Sequence, residues 1–191
     1  MISSEFVTSL SEVMRVQHTE LATVDRALAK QGLRQIARGR FRPDITLQEG
    51  LQIILAWAGT ESLTLAAEEL ERLKTFGLVA NEPTISEDDE FASIFGAKHN
   101  ELEGEGFFEL LLRASRNLGH EAYPSNDVWV TVQKNSGVDI SYRSGSRRIT
   151  LRFSRFAKFE FRKPGEVTNV VVSVRISGRV LKWLFDVTEG A

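Results

Sequence analysis

Six basic side chains fall between Val24 and Pro43, at Arg26, Lys30, Arg34, Arg38, Arg40 and Arg42, against a single acid, Asp25. Two glutamines, Gln31 and Gln35, are interleaved with them. Cations at this density neutralise phosphates, and arginine and glutamine carry the paired donors and acceptors that match the groove edges of guanine and adenine. The residue types therefore suit contact with double-stranded DNA. Arg26, Lys30, Arg34, Arg38, Arg40 and Arg42 are expected to hold phosphates or enter a groove, and Gln31 and Gln35 are candidate base readers. A helix terminus attracts cations only within its last turn, which asks for fewer than the four arginines between positions 34 and 42. The competing use for these charges is internal, as partners for the protein's own acids.

That competition is real because charge is segregated along the chain. The 191 residues carry a net charge of −2, yet residues 24–43 stand at +5, residues 44–125 at −11 and residues 126–191 at +6. Blocks of this size create local fields of several kT whatever the total. Acids crowd at 87–90 and 101–105, where a solvated surface is the expected role and steering of a basic protein partner the alternative.

Other chemistry is poorly supported. The three histidines, His18, His99 and His120, stand far apart and lack ligand partners three or four residues away; metal or catalytic sites need convergent groups. Gly104 and Gly106 are flanked by acids that would repel phosphate, so no phosphate loop forms there. Without cysteine there is no disulfide, thiolate nucleophile or thiolate metal site. No catalytic residue, metal or cofactor is expected. No apolar run reaches the roughly 18 residues a membrane span requires, and the first residues lack the basic and apolar regions of a secretory signal, so a cytoplasmic protein without a membrane partner is expected.

The elements that must position the basic run are legible. Phe6, Leu10, Val13 and Met14, then Leu21, Val24 and Leu28, recur at helical spacing over residues 5–31, as one helix or as two broken near Thr19. Gly32 suits the left-handed stop. Leu28, Leu33 and Ile36 would anchor the segment, leaving Arg38-Gly39-Arg40-Phe41-Arg42-Pro43 as an exposed basic loop. Thr46-Leu47-Gln48-Glu49 is a capping box, opening a helix through Leu51, Ile54, Leu55 and Ala58 to Gly59. Further helices are expected through Leu65, Leu70 and Leu73 to Gly77, over 87–95 with Ser86 as cap, and from Phe107 to a stop at Gly119. Residues 81–90, with a proline and five acids, read as a linker.

After Pro124 the period changes to two, the mark of half-buried strands. Val128, Val130 and Val132, then Val138, Ile140 and Tyr142, then Ile149, Leu151 and Phe153, then Phe159 and Phe161, then Val170, Val172, Val174 and Ile176 supply the apolar face. Hairpin loops fit Asn135-Ser136-Gly137 and Ser144-Gly145-Ser146. Ser177 would cap a final helix whose stripe is Val180, Leu181, Leu184 and Val187. On the opposite sheet face Trp129, Arg148, Thr150, Arg152, Lys158, Glu160 and Arg162 are expected to point outward, to bind nucleic acid or, preferred, to cover a partner or guard an edge. Trp183 reads as core or subunit interface.

Gly32-Leu33, Arg38-Gly39-Arg40 and Thr46-Leu47-Gln48-Glu49-Gly50-Leu51 together resemble the short regulatory proteins of bacteriophages and prophages, especially of alphaproteobacteria, over residues 20–75. The resemblance implies a helix-turn-helix or winged-helix-like DNA-binding segment used in transcription control, with the arginine-rich loop as wing or groove-entering element; it leaves open which helix enters a groove. The expected protein is α+β: a helical DNA-binding part over 1–80, acidic linker and helices over 81–125, and an antiparallel sheet with a C-terminal helix over 126–191 for oligomerisation or partner binding. The expected function is that of a non-enzymatic, sequence-specific transcription regulator, a homodimer on double-stranded DNA, with RNA polymerase or another protein as a further partner. The alternative is an adaptor or inhibitor acting on a host protein through the acidic middle and the sheet.

Overall fold

The computed structural model describes residues 1–35, 43–82, 92–95, 104–121, 123–134, 137–144, 146–154 and 172–190. The first half is helical. Helix α1 (Ser3–Met14) ends where Arg15 takes a left-handed conformation (φ 56°), and α2 (His18–Lys30) follows after a three-residue step, so the long periodic stretch is two helices. The step is local: Val16 N–H donates to the Ser11 carbonyl and Leu21 N–H to that of Gln17. Phe6, Val7 and Leu10 from α1 and Leu21, Val24 and Leu28 from α2 are buried, so both apolar stripes face inward.

Helix α3 (Leu47–Gly59) differs in kind. Eleven of its thirteen residues are buried, which makes it a central helix surrounded by protein. It packs against α2, α4 (Ala66–Lys74), α6 (Phe107–Gly119) and α7 (Gly178–Thr188), and against two strands of the sheet. The amphipathic α4 covers it with Ala66, Ala67, Leu70 and Leu73.

The sheet is antiparallel and five-stranded, in the order β1-β4-β3-β2-β5, with β1 Gly77–Glu82, β2 Trp129–Gln133, β3 Gly137–Ser144, β4 Arg147–Ser154 and β5 Ser173–Ser177. The fold is therefore α+β: helices first, then the sheet and a C-terminal helix. The expected alternation holds in β2 to β4, where Val130, Val132, Val138, Ile140, Tyr142, Ile149, Leu151 and Phe153 are buried. Helices α5 (Ala92–Phe95) and α6 close this face, with Phe95 edge-on to Tyr142 and Phe107 against Phe153 at 5.4 Å between ring centroids. Ser177 does stand at the N-cap of α7, although its hydroxyl makes no capping bond.

One strand departs from expectation. Gly77–Glu82, where a helix stop and the start of a linker were expected, instead forms β1 and pairs with β4, from Gly77–Ser154 to Glu82–Thr150. The residues proposed for a helix over 87–95 fall inside the described set only at 92–95, and those at 135–136, 145 and 155–171, including Phe159 and Phe161, lie outside it.

Boundaries at 80 and 125 cut through a single continuous core that contains Phe6 and Leu51 from the helical half together with Val130, Leu151 and Leu184 from the sheet half. Gly50 marks the seam. A Cβ there would fall inside van der Waals contact of Leu184 and stand 3.1 Å from Phe6 Cζ. Trp183 is half-buried and stacks on Phe6 at 5.8 Å, as a core position would. Gly50→Val should therefore cost about 1–3 kcal/mol by overpacking, lowering the midpoint of thermal unfolding by about 2–4 °C per kcal/mol; an unchanged midpoint would mean that α3 and α7 are not in close contact.

Candidate nucleic-acid interface

The basic run begins where α2 ends. Gly32 takes φ +73°, a conformation that favours glycine, and Leu33 N–H then donates to the Leu28 carbonyl at 3.0 Å, turning the chain back along the helix. Leu28 is buried and Leu33 packs partly against the core, as expected for the anchors of this segment. Arg26, on α2, is exposed; its guanidinium donates to the Ala22 carbonyl (3.1 Å) and the Thr23 hydroxyl (3.3 Å) of its own helix. Lys30, in the last turn, is exposed where the helix dipole favours a cation. Gln31 and Gln35 are also exposed.

Arg34 is the exception, and its expected role as a phosphate contact is corrected. Its side chain is only 11% exposed and pairs with Asp25, equally buried at 11%, through Nε, while Nη2 donates to Asp25 Oδ2 at 3.0 Å. The Ser3 hydroxyl donates to the same oxygen at 3.3 Å, and Arg34 Nη1 donates to the Gln35 carbonyl at 2.7 Å. Arg34 thus ties α1, α2 and the start of the basic segment together instead of facing a ligand. Burial pushes the Asp25 carboxyl up from its ordinary range, while Arg34 and the Ser3 hydroxyl draw it back down.

A second carboxylate holds the segment at both ends. Glu49, 8% exposed, accepts the Gln35 N–H on Oε1 (2.8 Å) and the Thr46 N–H on Oε2 (3.0 Å), and the Thr46 hydroxyl accepts the Glu49 N–H (3.2 Å). The capping box is formed as expected, and it also secures the chain eleven residues upstream. The far end is tied further by the N-terminal ammonium on Asp44 (2.9 Å) and by Ile45 N–H on the Met1 carbonyl (3.0 Å). Ile36, Arg38, Arg40 and Arg42 lie outside the described residues, between these two held points.

A cleft of about 590 Å³ adjoins the segment, with Ser3, His18, Asp25, Arg26, Arg34 and Pro43 among its walls. His120 sits edge-on to Phe185, and His99 lies outside the described residues. Among the described residues no three His, Asp or Glu side chains converge on a metal-sized site, and no helix is long and apolar enough to cross a membrane. The Thr-capped helix named in the resemblance, α3, is enclosed and presents no face that could lie in a groove.

On the far side of the sheet Trp129, Arg148, Thr150 and Arg152 do point away from the core. Arg152 pairs with Asp139 (3.2 Å), and Arg175 lies over the Trp129 ring at 4.1 Å. Lys158, Glu160 and Arg162 lie outside the described residues. The positioning roles of Asp25 and Glu49 were not anticipated; Thr46 and Glu49 carry a cap signal, but the bond from Gln35 depends on how α2 and α3 pack. Comparison of the chain with protein families, with curated proteins and with solved structures returns no match.

Removing one member of a buried ion pair strands the other. Arg34→Met should cost about 3–5 kcal/mol in urea unfolding, and the double variant Asp25→Leu, Arg34→Met should recover most of it. With Arg34 gone, Asp25 binds its proton more tightly folded than unfolded, so stability rises as pH falls. The loss should accordingly be larger at pH 7 than at about pH 4.5; equal losses at the two pH values would show that Asp25 is not buried with Arg34. Separately, Glu49→Ala should cost about 0.5–2 kcal/mol as a lost cap and speed hydrogen exchange at the Gln35 amide. Unchanged exchange there would remove Glu49 as the holder of that end.

Proposed function

We propose that the protein is a non-enzymatic, sequence-specific DNA-binding regulator of transcription, phage- or prophage-related, acting in the cytoplasm as a homodimer. The observation that carries this proposal is the double grip of Glu49, which holds Gln35 and Thr46 on one buried carboxylate while the intervening segment contributes Arg38, Arg40 and Arg42. Fixed flanks reduce the ordering that binding must supply. The cations of the segment can then act on phosphates, the largest sequence-independent source of affinity for DNA.

Roles follow from position. Arg38, Arg40 and Arg42 contact phosphates or enter a groove, Arg26 and Lys30 add cations on the exposed side of α2, and Gln31 and Gln35 read base edges. Arg34 contributes by position, through Asp25, rather than by contact. Because α3 is enclosed, the reading element is the segment after α2 and not the Thr-capped helix. A two-fold homodimer would place two such segments on the half-sites of a palindrome.

The test is a triple substitution, Arg38→Ala, Arg40→Ala, Arg42→Ala, assayed against the duplex recovered by selection from a randomised library. Specific binding should be lost, the log–log salt slope of the remaining affinity should fall by about three units, and the unfolding midpoint should be unchanged. Unchanged affinity would overturn the proposal and favour an adaptor that works through the acidic middle and the sheet.

A further inference from the structure

Among the described residues, strands β3 and β4 pair on past their neighbours. β2 pairs with β3 only as far as Ser141, and β1 pairs with β4 only as far as Thr150, whereas β3 and β4 pair with each other through Tyr142–Ile149, Arg143–Arg148 and Ser144–Arg147. Among the described residues, then, the last three pairs form a two-stranded ribbon, an extension of the sheet, its core side covered where Phe95 and Tyr123 pack on Tyr142. Its core-side pair is apolar and buried: Tyr142 is 1% exposed and Ile149 is 2%. Three of its other four residues are cationic, Arg143, Arg147 and Arg148, and all three are exposed.

The arrangement opposes the stability of the ribbon itself. Arg143 and Arg148 are directly opposite, and like charges so placed are destabilising. Nothing among the described residues offsets the repulsion, since none of the three arginines makes an ion pair; Asp127, whose charge acts on Tyr123 along with that of Arg143, does not pair with them. Two other described cations of the same sheet face are occupied, Arg152 by Asp139 and Arg175 by the Trp129 ring. Keeping the ribbons of two copies apart is the competing role for these charges.

We infer that the outer face of the β3–β4 ribbon is a second contact surface for double-stranded DNA, with Arg143 and Arg148 on backbone phosphates. The inference rests on the DNA-binding function proposed above and extends it to a separate part of the fold. Duplex phosphates supply a negative charge that no described residue places on the opposed pair. Ser141 and Thr150, whose hydroxyls bond each other at 3.0 Å, form the next rung, so a neutral polar surface lies behind the arginines.

The experiment compares the wild-type protein, Arg143→Thr/Arg148→Thr and Arg143→Lys/Arg148→Lys by fluorescence anisotropy with a labelled random-sequence duplex across a salt series. The threonine variant should bind more weakly with a salt slope shallower by about two units, and its unfolding midpoint should be equal to or above wild type because the opposed charges are gone. The lysine variant should restore the slope, since a phosphate accepts either cation. Wild-type binding with an unchanged slope in the threonine variant would overturn the ribbon contact alone, and self-association of that variant would then assign the arginines to keeping ribbons apart. A wild-type protein that binds no DNA would overturn the regulator proposal as well, whereas loss of binding on removing Arg38, Arg40 and Arg42 with no effect at the ribbon would leave that proposal standing.

Discussion

Enclosure of α3 is the constraint on which the rest of the structure depends. A helix with Leu47, Leu51, Ile53, Ile54 and Leu55 all at or near zero exposure has to be surrounded, and the protein does so with α2, α4, α6, α7 and the apolar face of the sheet. Enclosure also removes water from the helix start, where free amide groups need partners. Glu49 answers that need with one carboxylate, and because α2 packs against α3 the same carboxylate reaches Gln35. The hold on the basic segment is thus a by-product of satisfying a buried helix end.

The fate of each cation separates structure from function. Arg34 and Arg152 are consumed by Asp25 and Asp139, and Arg175 by an aromatic face. Surface pairs such as Lys182 with Asp186 contribute little on their own. Among the described residues, exposed cations without an acidic partner include Arg26 and Lys30 beside the segment held by Glu49, and Arg143, Arg147 and Arg148 on the ribbon formed by β3 and β4. Both belong to blocks of positive balance in a chain that is acidic overall, so the net charge of −2 conceals them.

Local signals in the sequence proved sufficient for local structure. The Thr46–Glu49 capping box, the left-handed Gly32, the ends of α3 and α6 at glycine, and the inward Ile149, Leu151 and Phe153 all depend on neighbours within a few residues, and all are present. What was not legible depends on distant partners. β1 is short, and its backbone is satisfied by a strand some seventy residues later. Arg34 looks like its basic neighbours until the turn at Gly32 brings it back to Asp25. The exposure of Arg143 follows from alternation, but its place directly opposite Arg148 depends on register, which no single strand encodes. Arg38, Arg40 and Arg42 were singled out by charge density alone, and the structure adds the anchors on either side of them.

The measurement that bears most directly on the central claim is the affinity of the wild-type protein for random-sequence duplex DNA as salt is raised. Contact by the cations beside the Glu49-held segment predicts binding that weakens steeply, with a log–log slope of several units, about 0.9 for each phosphate neutralised. Absence of binding even at about 50 mM salt would contradict the account, and would mean that these arginines serve the protein itself or a protein partner.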